Sequence, residues 1–586
     1  MTTGELVRAG TARRAMARSM ARCGFTLVFA CSALACTGPT VGPELDPGAG
    51  DSGAATPDTR DATIIPDVDA DDGIDTNTPG DADARVDTAE AGDPCIDPTG
   101  FGGRGCRTCA PVTQADLENA CTPAEYVPFD DGRLGLDGGT LPSLGVDAGT
   151  DSAADSAADT SPDAGTDSTV TDSSTTDAGS DTTVSDAGAD TADAPPPPPR
   201  CSTLSGGNVV YLTGASAVTI FIGYLAQALA ASTTPMTVVY VTQGSCNGVG
   251  AVLNPATGLL KGTADYWTGD TSITPDAARH SCQLDSAGVA PDIGISDVYA
   301  TSCFDLPSGL PAGIQNFPGP VQTMAFVVPE SSTQRSISSE AAYLVYGFGG
   351  ASYPVPPWVD LTHLYTRFPT SGPQTMIAAQ IGLPADRWLG PVQSGSGPMQ
   401  SALIAANTAG AVVSEKTIGI LSSTYADDFR DTLSILAFKD RGQKVAFFPD
   451  LRHDTYDRKN VRDGHYALWG PLNMITHVDG AGRASTNAQR FINVVNGVET
   501  LTAVEIVALY AQRHIVPTCA MTVTRDVDGG PIRPFKPAKG CGCYFEEKAT
   551  GAKPSTCTTC TTNIDCPTAA PNCNKFGGAA SGYCEP

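Results

Sequence analysis

Between Thr37 and Arg200 the chain is built mostly of Asp, Ala, Thr, Gly and Ser, in passages such as DSAADSAADTSPDAGTDSTVTDSSTTDAGSDTT. Such a stretch has no apolar periodicity and almost no aromatic residues, and its like charges repel. It buries too little surface to offset the entropy of ordering. A disordered acidic linker is therefore predicted over 37–90 and again over 131–200, where Pro195 to Pro199 stiffen the end into an extended spacer. Much of the imbalance of 64 Asp and Glu against 35 Lys and Arg, a formal charge of −29, sits in this tether. Nucleic acid is excluded as a partner, because neutralising phosphates along a duplex needs a basic face. Acidic runs can hold Ca2+, but only where a turn gathers several oxygens, and no Asp-x-Asp-x-Asp-Gly loop with a closing Glu is present. Neither a metal nor a cofactor is expected.

The first 36 residues carry Arg8, Arg13, Arg14, Arg18 and Arg22, then an apolar run from Gly24 to Ala35 too short to span a bilayer. This is the plan of an export signal. Its end, Ala33-Leu34-Ala35-Cys36, resembles a bacterial lipobox, which implies acylation of Cys36. Thr37 after the cysteine leans the sorting towards the outer membrane of a Gram-negative-type envelope. The plainer reading is a secretory signal with Cys36 as a spare thiol. Either way the chain is exported, and the count of 19 cysteines points to disulfides, for which the sixteen cysteines beyond Cys36 are the candidates. Cys95, Cys106, Cys109 and Cys121 form an island at 91–130, read as a small module with two bridges and three possible connectivities. Cys106-x-x-Cys109 lacks the second half of a zinc site. Cys519, Cys541, Cys543, Cys557, Cys560, Cys566, Cys573 and Cys584 make a second Cys-rich module over 518–586, and Cys201, Cys246, Cys282 and Cys303 are candidates within the part between.

From Cys201 to about Pro517 the pattern is α/β. Asn208–Leu212 reads as a strand, Thr213-Gly-Ala-Ser216 as a small-residue turn, and Phe221, Leu225, Ala228 and Leu229 as one face of a helix. Thr237–Thr242 is a second strand, ending in Gln243-Gly-Ser-Cys-Asn-Gly248. A third, Pro291–Ile295, runs into Ser296-Asp297. Strand, small-residue loop and helix in repetition predict an open parallel sheet, with ligands beyond the carboxyl ends of its strands and near helix N-termini. The pattern recurs with a strand at Thr323–Val328, a helix around 338–346, the loop Thr366–Thr375 leading into a helix, Gly395-Ser396-Gly397 opening another, and a buried strand at Thr417–Leu421. Two lobes are expected, lobe 1 from about 201–322 and 472–517 and lobe 2 from about 323–471.

The order of Leu212-Thr-Gly-Ala-Ser-Ala217, Gly244-Ser245, Asp292-Ile-Gly-Ile-Ser-Asp297, Arg367 followed by Ser371-Gly372, Ile418–Leu421 and Trp469-Gly-Pro resembles the periplasmic phosphate-binding proteins of ABC transporters, of the type II solute-binding fold. The resemblance covers roughly half the chain. It implies that Ser245, Asp297, Arg367, Ser371 and Gly372 contact the ligand, with Ser216, Ala217 and Thr370 beside them. On chemical grounds, holding a tetrahedral oxyanion without a metal needs converging N–H and O–H donors and a fixed cation, and Arg367 is the cation of these loops. A carboxylate such as Asp297 is repulsive there unless it accepts a hydrogen bond from a ligand O–H. It would thus admit hydrogen phosphate and reject sulfate, which carries no proton at neutral pH. The chain departs from the family pattern in Arg367-Phe-Pro-Thr-Ser-Gly-Pro373, where prolines replace an acid and a hydroxyl, and at Val218 or Thr219 near the first helix.

His453, Asp454, Asp457 and His465 lie close in sequence, but their spacing fits neither HExxH nor HxH, and an inter-lobe loop with Arg462 paired to Asp463 is expected. No Gly-x-Ser-x-Gly elbow is present, so enzyme activity is not expected. The function expected is lipid-anchored, extracytoplasmic binding of an oxyanion, phosphate first, with an ABC permease as possible partner. The competing class is a surface interaction or adhesion protein that keeps the fold as a scaffold.

Overall fold

Thr237-Val-Val-Tyr-Val-Thr242, rich in β-branched residues, forms a strand over the residues its composition predicts, in a computed structural model that describes residues 93–136, 140–144, 197–501 and 504–586. The expected signal, Cys36 and most of the acidic linker lie outside the described residues. The described residues all belong to one unit, Thr88–Pro586.

In chain order the elements used below are helix α1 (Gln114–Glu118) and strand β1 (Tyr126–Val127). Lobe 1 follows with β2 (Val209–Gly214), α2 (Thr219–Ala230), β3 (Thr237–Thr242), α3 (Ser245–Leu253), β4 (Thr263–Trp267), β5 (Arg279–Gln283), β6 (Ile293–Ser296) and α4 (Ala300–Cys303). The long strand β7 (Ile314–Pro329) leads into lobe 2, which holds β8 (Ser336–Ser338), β9 (Thr366–Arg367), α5 (Gly372–Ile381), β10 (Val392–Gln393), α6 (Ser396–Thr408), β11 (Gly419–Ser422), β12 (Leu433–Ile435), β13 (Ala437–Lys439) and β14 (Ala446–Phe447). The chain returns along β15 (Trp469–His477), and a later hairpin pairs β16 (Val523–Thr524) with β17 (Arg533–Pro534).

A nine-stranded sheet runs β11-β7-β15-β6-β2-β3-β4-β5, with β12 also on β7. Within it β3, β2 and β6 are parallel, Leu212 facing Tyr240 and Gly214 facing Ile295. β15 lies antiparallel between β6 and β7, and the pair β7 and β15 carries the chain between the lobes. This is a mixed α/β, two-lobed fold. Its parallel part needs both faces covered. On one of them α2 buries Phe221, Ile222, Leu225 and Leu229, each contributing roughly 1.5–3 kcal/mol on leaving water. The hairpin β4–β5 at the edge was not anticipated; its Cys282 is bridged to Cys201.

Residues 93–130, within the island expected in the linker, are built into lobe 2, and 131–136 and 140–144, expected as disordered linker, are ordered with them: Asp131–Leu134 forms a 3-10 turn that buries Leu134, and the Tyr343 hydroxyl donates to the Pro142 carbonyl at 2.9 Å. β1 pairs antiparallel with β14 and completes a four-stranded sheet β8-β13-β14-β1. Leu117, Phe129 and Leu134 join one continuous apolar cluster with Phe326, Phe438 and Trp469 of lobe 2 and Val523, Ile532 and Phe545 of the C-terminal segment. Edge pairing across more than 300 residues leaves no local mark in sequence, which is why it was not foreseen.

Sixteen cysteines form eight bridges: Cys95–Cys109, Cys106–Cys121, Cys201–Cys282, Cys246–Cys303, Cys519–Cys541, Cys543–Cys557, Cys560–Cys573 and Cys566–Cys584. That density marks an oxidising, extracytoplasmic compartment. No helix among the described residues is long and apolar enough to cross a membrane.

Candidate functional site

Four chain turns place helix starts towards one cleft between the lobes. In lobe 1, Ser216 opens a 3-10 turn before α2, and Ser245 is the first residue of α3. In lobe 2, Ser371 precedes Gly372 at the start of α5, and Ser396 begins α6. Helix starts leave backbone N–H groups without intrahelical partners and carry the positive end of the helix dipole, so they favour an anion. Gly244, at φ 93°, permits the turn into α3. At Gly372 a Cβ would lie 2.4 Å from both Asp297 Oδ2 and Ser245 Oγ, so only glycine allows lobe 2 to approach this closely.

Arg367 ends β9 and is 3% exposed. Its guanidinium donates from Nε to the Gln393 carbonyl at 3.2 Å, from Nη1 to Ser396 Oγ at 3.3 Å and from Nη2 across the cleft to Ser216 Oγ at 3.2 Å. Its own N–H donates to Gln374 Oε1 at 2.7 Å, which anchors the residue on α5. These partners are all neutral. Burial pulls its pKa down to about 10, partly offset by the charge of Asp297.

Asp297 follows β6 and is 0% exposed. Ser245 Oγ donates to its Oδ2 at 3.2 Å and accepts from its backbone N–H at 3.2 Å, while Oδ1 is buried with no hydrogen-bond partner. Burial pushes its pKa up to about 7, against the Ser245 hydrogen bond and Arg367, with Asp528 adding to the rise. Ser371 Oγ is likewise buried and unpartnered. An orphaned acceptor and an orphaned hydroxyl, beside a cation with neutral partners, are groups that a ligand supplying both an O–H and a negative oxygen would satisfy. Each such orphan costs about 1–3 kcal/mol until it is satisfied.

The structure thus brings Ser216, Ser245, Asp297, Arg367, Ser371 and Gly372 together, with buried Ala217 behind Ser216. Thr370 is exposed, and its carbonyl accepts from Cys246 N–H at 3.1 Å, so it bridges the lobes through its backbone. Thr219 donates to the Ser216 carbonyl at 3.0 Å and stabilises the turn, while Val218 is buried. Ser396, Gln374 and Tyr425, whose hydroxyl donates to the Ser216 carbonyl at 3.3 Å, were missed. For Ser396 a signal was present: Gly395-Ser396 repeats the Gly244-Ser245 arrangement at a helix start. The histidine segment lies elsewhere. His453 binds Glu125 at 2.8 Å and His465 binds Asp463 at 2.8 Å. The expected Arg462–Asp463 pair is not formed: Arg462 pairs with Glu546 at 3.1 Å, and Asp463 with Lys459 and His465. Asp463 faces those two cations, whereas Arg462 lies under the C-terminal helix that carries Glu546. A cavity of about 1200 Å³, lined by Val495, Val507, Tyr510, Met521 and Phe535, lies behind the hinge strands and includes none of these cleft residues.

No protein-family model matches the chain, and no curated protein matches it. Solved structures similar to it include a protein designated a phosphate ABC transporter substrate-binding protein, with bound phosphate, from Clostridium perfringens (14% identity, 53% of this chain and 100% of that one, TM-score 0.35). An ABC-type phosphate transport receptor from Vibrio cholerae is similar at 14% identity over 53% of this chain and 99% of that one, with a TM-score of 0.34. The CcmR regulatory domain of Synechocystis, in complex with 2-PG, is similar at 9% identity over 50% and 98%, with a TM-score of 0.28.

Proposed function

We propose that this chain is an extracytoplasmic binding protein whose two lobes enclose an inorganic oxyanion, phosphate first, and that Cys36 anchors it by lipid to the outer membrane. The observation that carries this reading is the cleft pair of Arg367, buried among neutral donors and acceptors, and Asp297, whose buried Oδ1 has no partner. Arg367 and the helix starts supply positive potential, and the ligand's own proton satisfies Asp297. We read the site as binding and not catalytic, since its serine hydroxyls meet a guanidinium or a carboxylate and no imidazole base stands beside them among the described residues. Delivery to an ABC permease, or sensing, would follow from closure on the ligand. A second reading, a surface interaction protein that keeps the fold as a scaffold, is favoured by the N- and C-terminal disulfide-bonded segments packed onto lobe 2.

Calorimetric titration tests the oxyanion reading. Phosphate is expected to bind at least about 100-fold more tightly than sulfate, the discrimination that two unsatisfied buried polar contacts provide. Equal affinity for the two would remove the role given to Asp297, and no heat with either would remove the oxyanion reading.

A further inference from the structure

The turn of the β16–β17 hairpin touches both halves of the cleft from behind. Asp528 is buried, and its Oδ2 accepts from Tyr299 N–H at 2.8 Å and from Ser302 Oγ at 2.6 Å. Those two residues belong to the turn and short helix α4 that follow Asp297. The far end of α4 is bridged by Cys303 to Cys246, next to Ser245. The Tyr299 hydroxyl also donates to the Arg525 carbonyl at 2.8 Å. Turned the other way, Arg525 Nη1 donates to Gln380 Oε1 at 3.1 Å, and its guanidinium lies 4.5 Å above the Trp469 ring. Gly529, at φ 67°, lies so close to α5 that a Cβ would stand 2.6 Å from the Ala379 carbonyl. Gln380 and Ala379 sit on the helix that Gly372 begins. One five-residue turn therefore grips the Asp297 loop of lobe 1 and the Gly372 helix of lobe 2 together.

We propose that Arg525–Gly529 is a strap across the lobes, with Asp528 and Arg525 as positioning residues that hold the Asp297 turn against the start of α5. Neither touches the ligand position. They act through Tyr299, Ser302, Gln380 and Ala379, and the hairpin that carries them is held on the body by the Cys519–Cys541 bridge and by the Ile532 N–H, which donates to Gln114 Oε1 at 3.2 Å. The C-terminal segment would thereby set how far the cleft opens, a feature that a two-lobed binding domain lacks when it ends at the hinge. What the geometry serves rests on the oxyanion reading; the existence of the strap does not.

Hydrogen–deuterium exchange on the full chain tests it, with and without inorganic phosphate. Asp528→Ala is expected to speed exchange of the 297–303 and 372–381 amides by roughly tenfold or more, as a local opening becomes easier. Asp528→Asn keeps an oxygen acceptor for Tyr299 and Ser302 and is expected to stay within about threefold of the parent. Should Asp528→Ala not fold, Ser302→Ala removes one of the two bonds without unpairing a charge, and is expected to raise exchange at 299–303 by about threefold. Unchanged exchange in Asp528→Ala, or equal exchange in the Ala and Asn variants, overturns the strap. Phosphate titration of the same proteins separates the two ideas: faster exchange in Asp528→Ala with no phosphate binding by the parent overturns the oxyanion reading alone. Phosphate binding by the parent with exchange unmoved overturns the strap alone.

Discussion

Of the arginines buried in lobe 2, two are treated in opposite ways. Arg458 is 0% exposed, with Nη1 held by both oxygens of Asp450 at 2.7 Å, Nη2 on Asp427 and Nε on the His514 carbonyl. Arg430 completes the cluster by bridging the same two carboxylates. Burial works against each charge; the opposing partners win at Arg458, which stays charged, and at Asp427, held well below the usual carboxylate range, while at Asp450 burial outweighs the two arginines and raises the pKa. Arg367 has no such partner in contact; its nitrogens meet two serine hydroxyls and a carbonyl, and its proton is held less firmly than usual. A saturated ion cluster fastens lobe 2 to the segment after the hinge, whereas an unsaturated cation beside a buried carboxyl with an unpaired oxygen is what the proposed anion site would use. The contrast separates structural charge from binding charge without reference to any relative.

Substitutions at the two places should therefore fail differently. Arg458→Met leaves Asp427 and Asp450 with too little positive charge in a water-free site. It is expected to cost about 3–5 kcal/mol of stability in denaturant titration, the loss typical of breaking a buried ion pair. Arg367→Met is expected to weaken phosphate binding by roughly 100-fold or more, the loss of two or three hydrogen bonds from a charged donor, while changing stability by less than about 1 kcal/mol. If Arg367→Met instead destabilised the fold as strongly as Arg458→Met, the distinction between the two arginines would collapse.

Asp297→Asn tests the carboxylate by itself. With an amide N–H available to an unprotonated oxygen, the preference for phosphate over sulfate should fall by roughly tenfold or more in competition titration. The ligand-free protein gives a second readout. Asp297 holds its proton up to about 7 when folded, against an ordinary value of 3.8. Its contribution to stability is therefore complete below pH 3.8 and is lost as pH rises through 7, and Asp297→Asn should flatten that part of the stability profile. The smallest effect is expected at Thr219, whose hydroxyl is committed to the Ser216 carbonyl. Thr219→Val should cost roughly 0.5–1.5 kcal/mol in thermal unfolding and leave phosphate affinity within about twofold. A larger loss of affinity would place Thr219 among the ligand contacts.

Much of the fold was legible locally. The strand at Thr237–Thr242 follows from its β-branched run, and the helix at Ser339–Phe348 from its periodicity with Ser338 as N-cap. Strand β7 was visible only in its buried half: from Ile314 to Pro318 it is partly exposed and carries Asn316 and Pro318 in a run that reads as loop. Of the cleft, Ser245, Asp297, Arg367, Ser371 and Gly372 were found because each stands at a strand end or a helix start. Gln374 and Tyr425 were not, since a polar residue inside a helix has many possible neighbours. Asp528 carried no signal at all, as it reaches Tyr299 across 229 positions of chain.

By itself the sequence determined that the part from Cys201 onward alternates strands and helices in two lobes, and that the chain matures where disulfides form. These follow from composition and short-range periodicity, which act within a few residues. Only the tertiary structure decided which cysteines pair, that Tyr126 and Val127 complete a sheet with Ala446 and Phe447, and that Arg367 is left with neutral partners while Arg458 is saturated. The two arginines are the same side chain in the sequence. What distinguishes them is the distance to the nearest carboxylates, and burial, which makes that distance matter, is a property of the packed lobes alone.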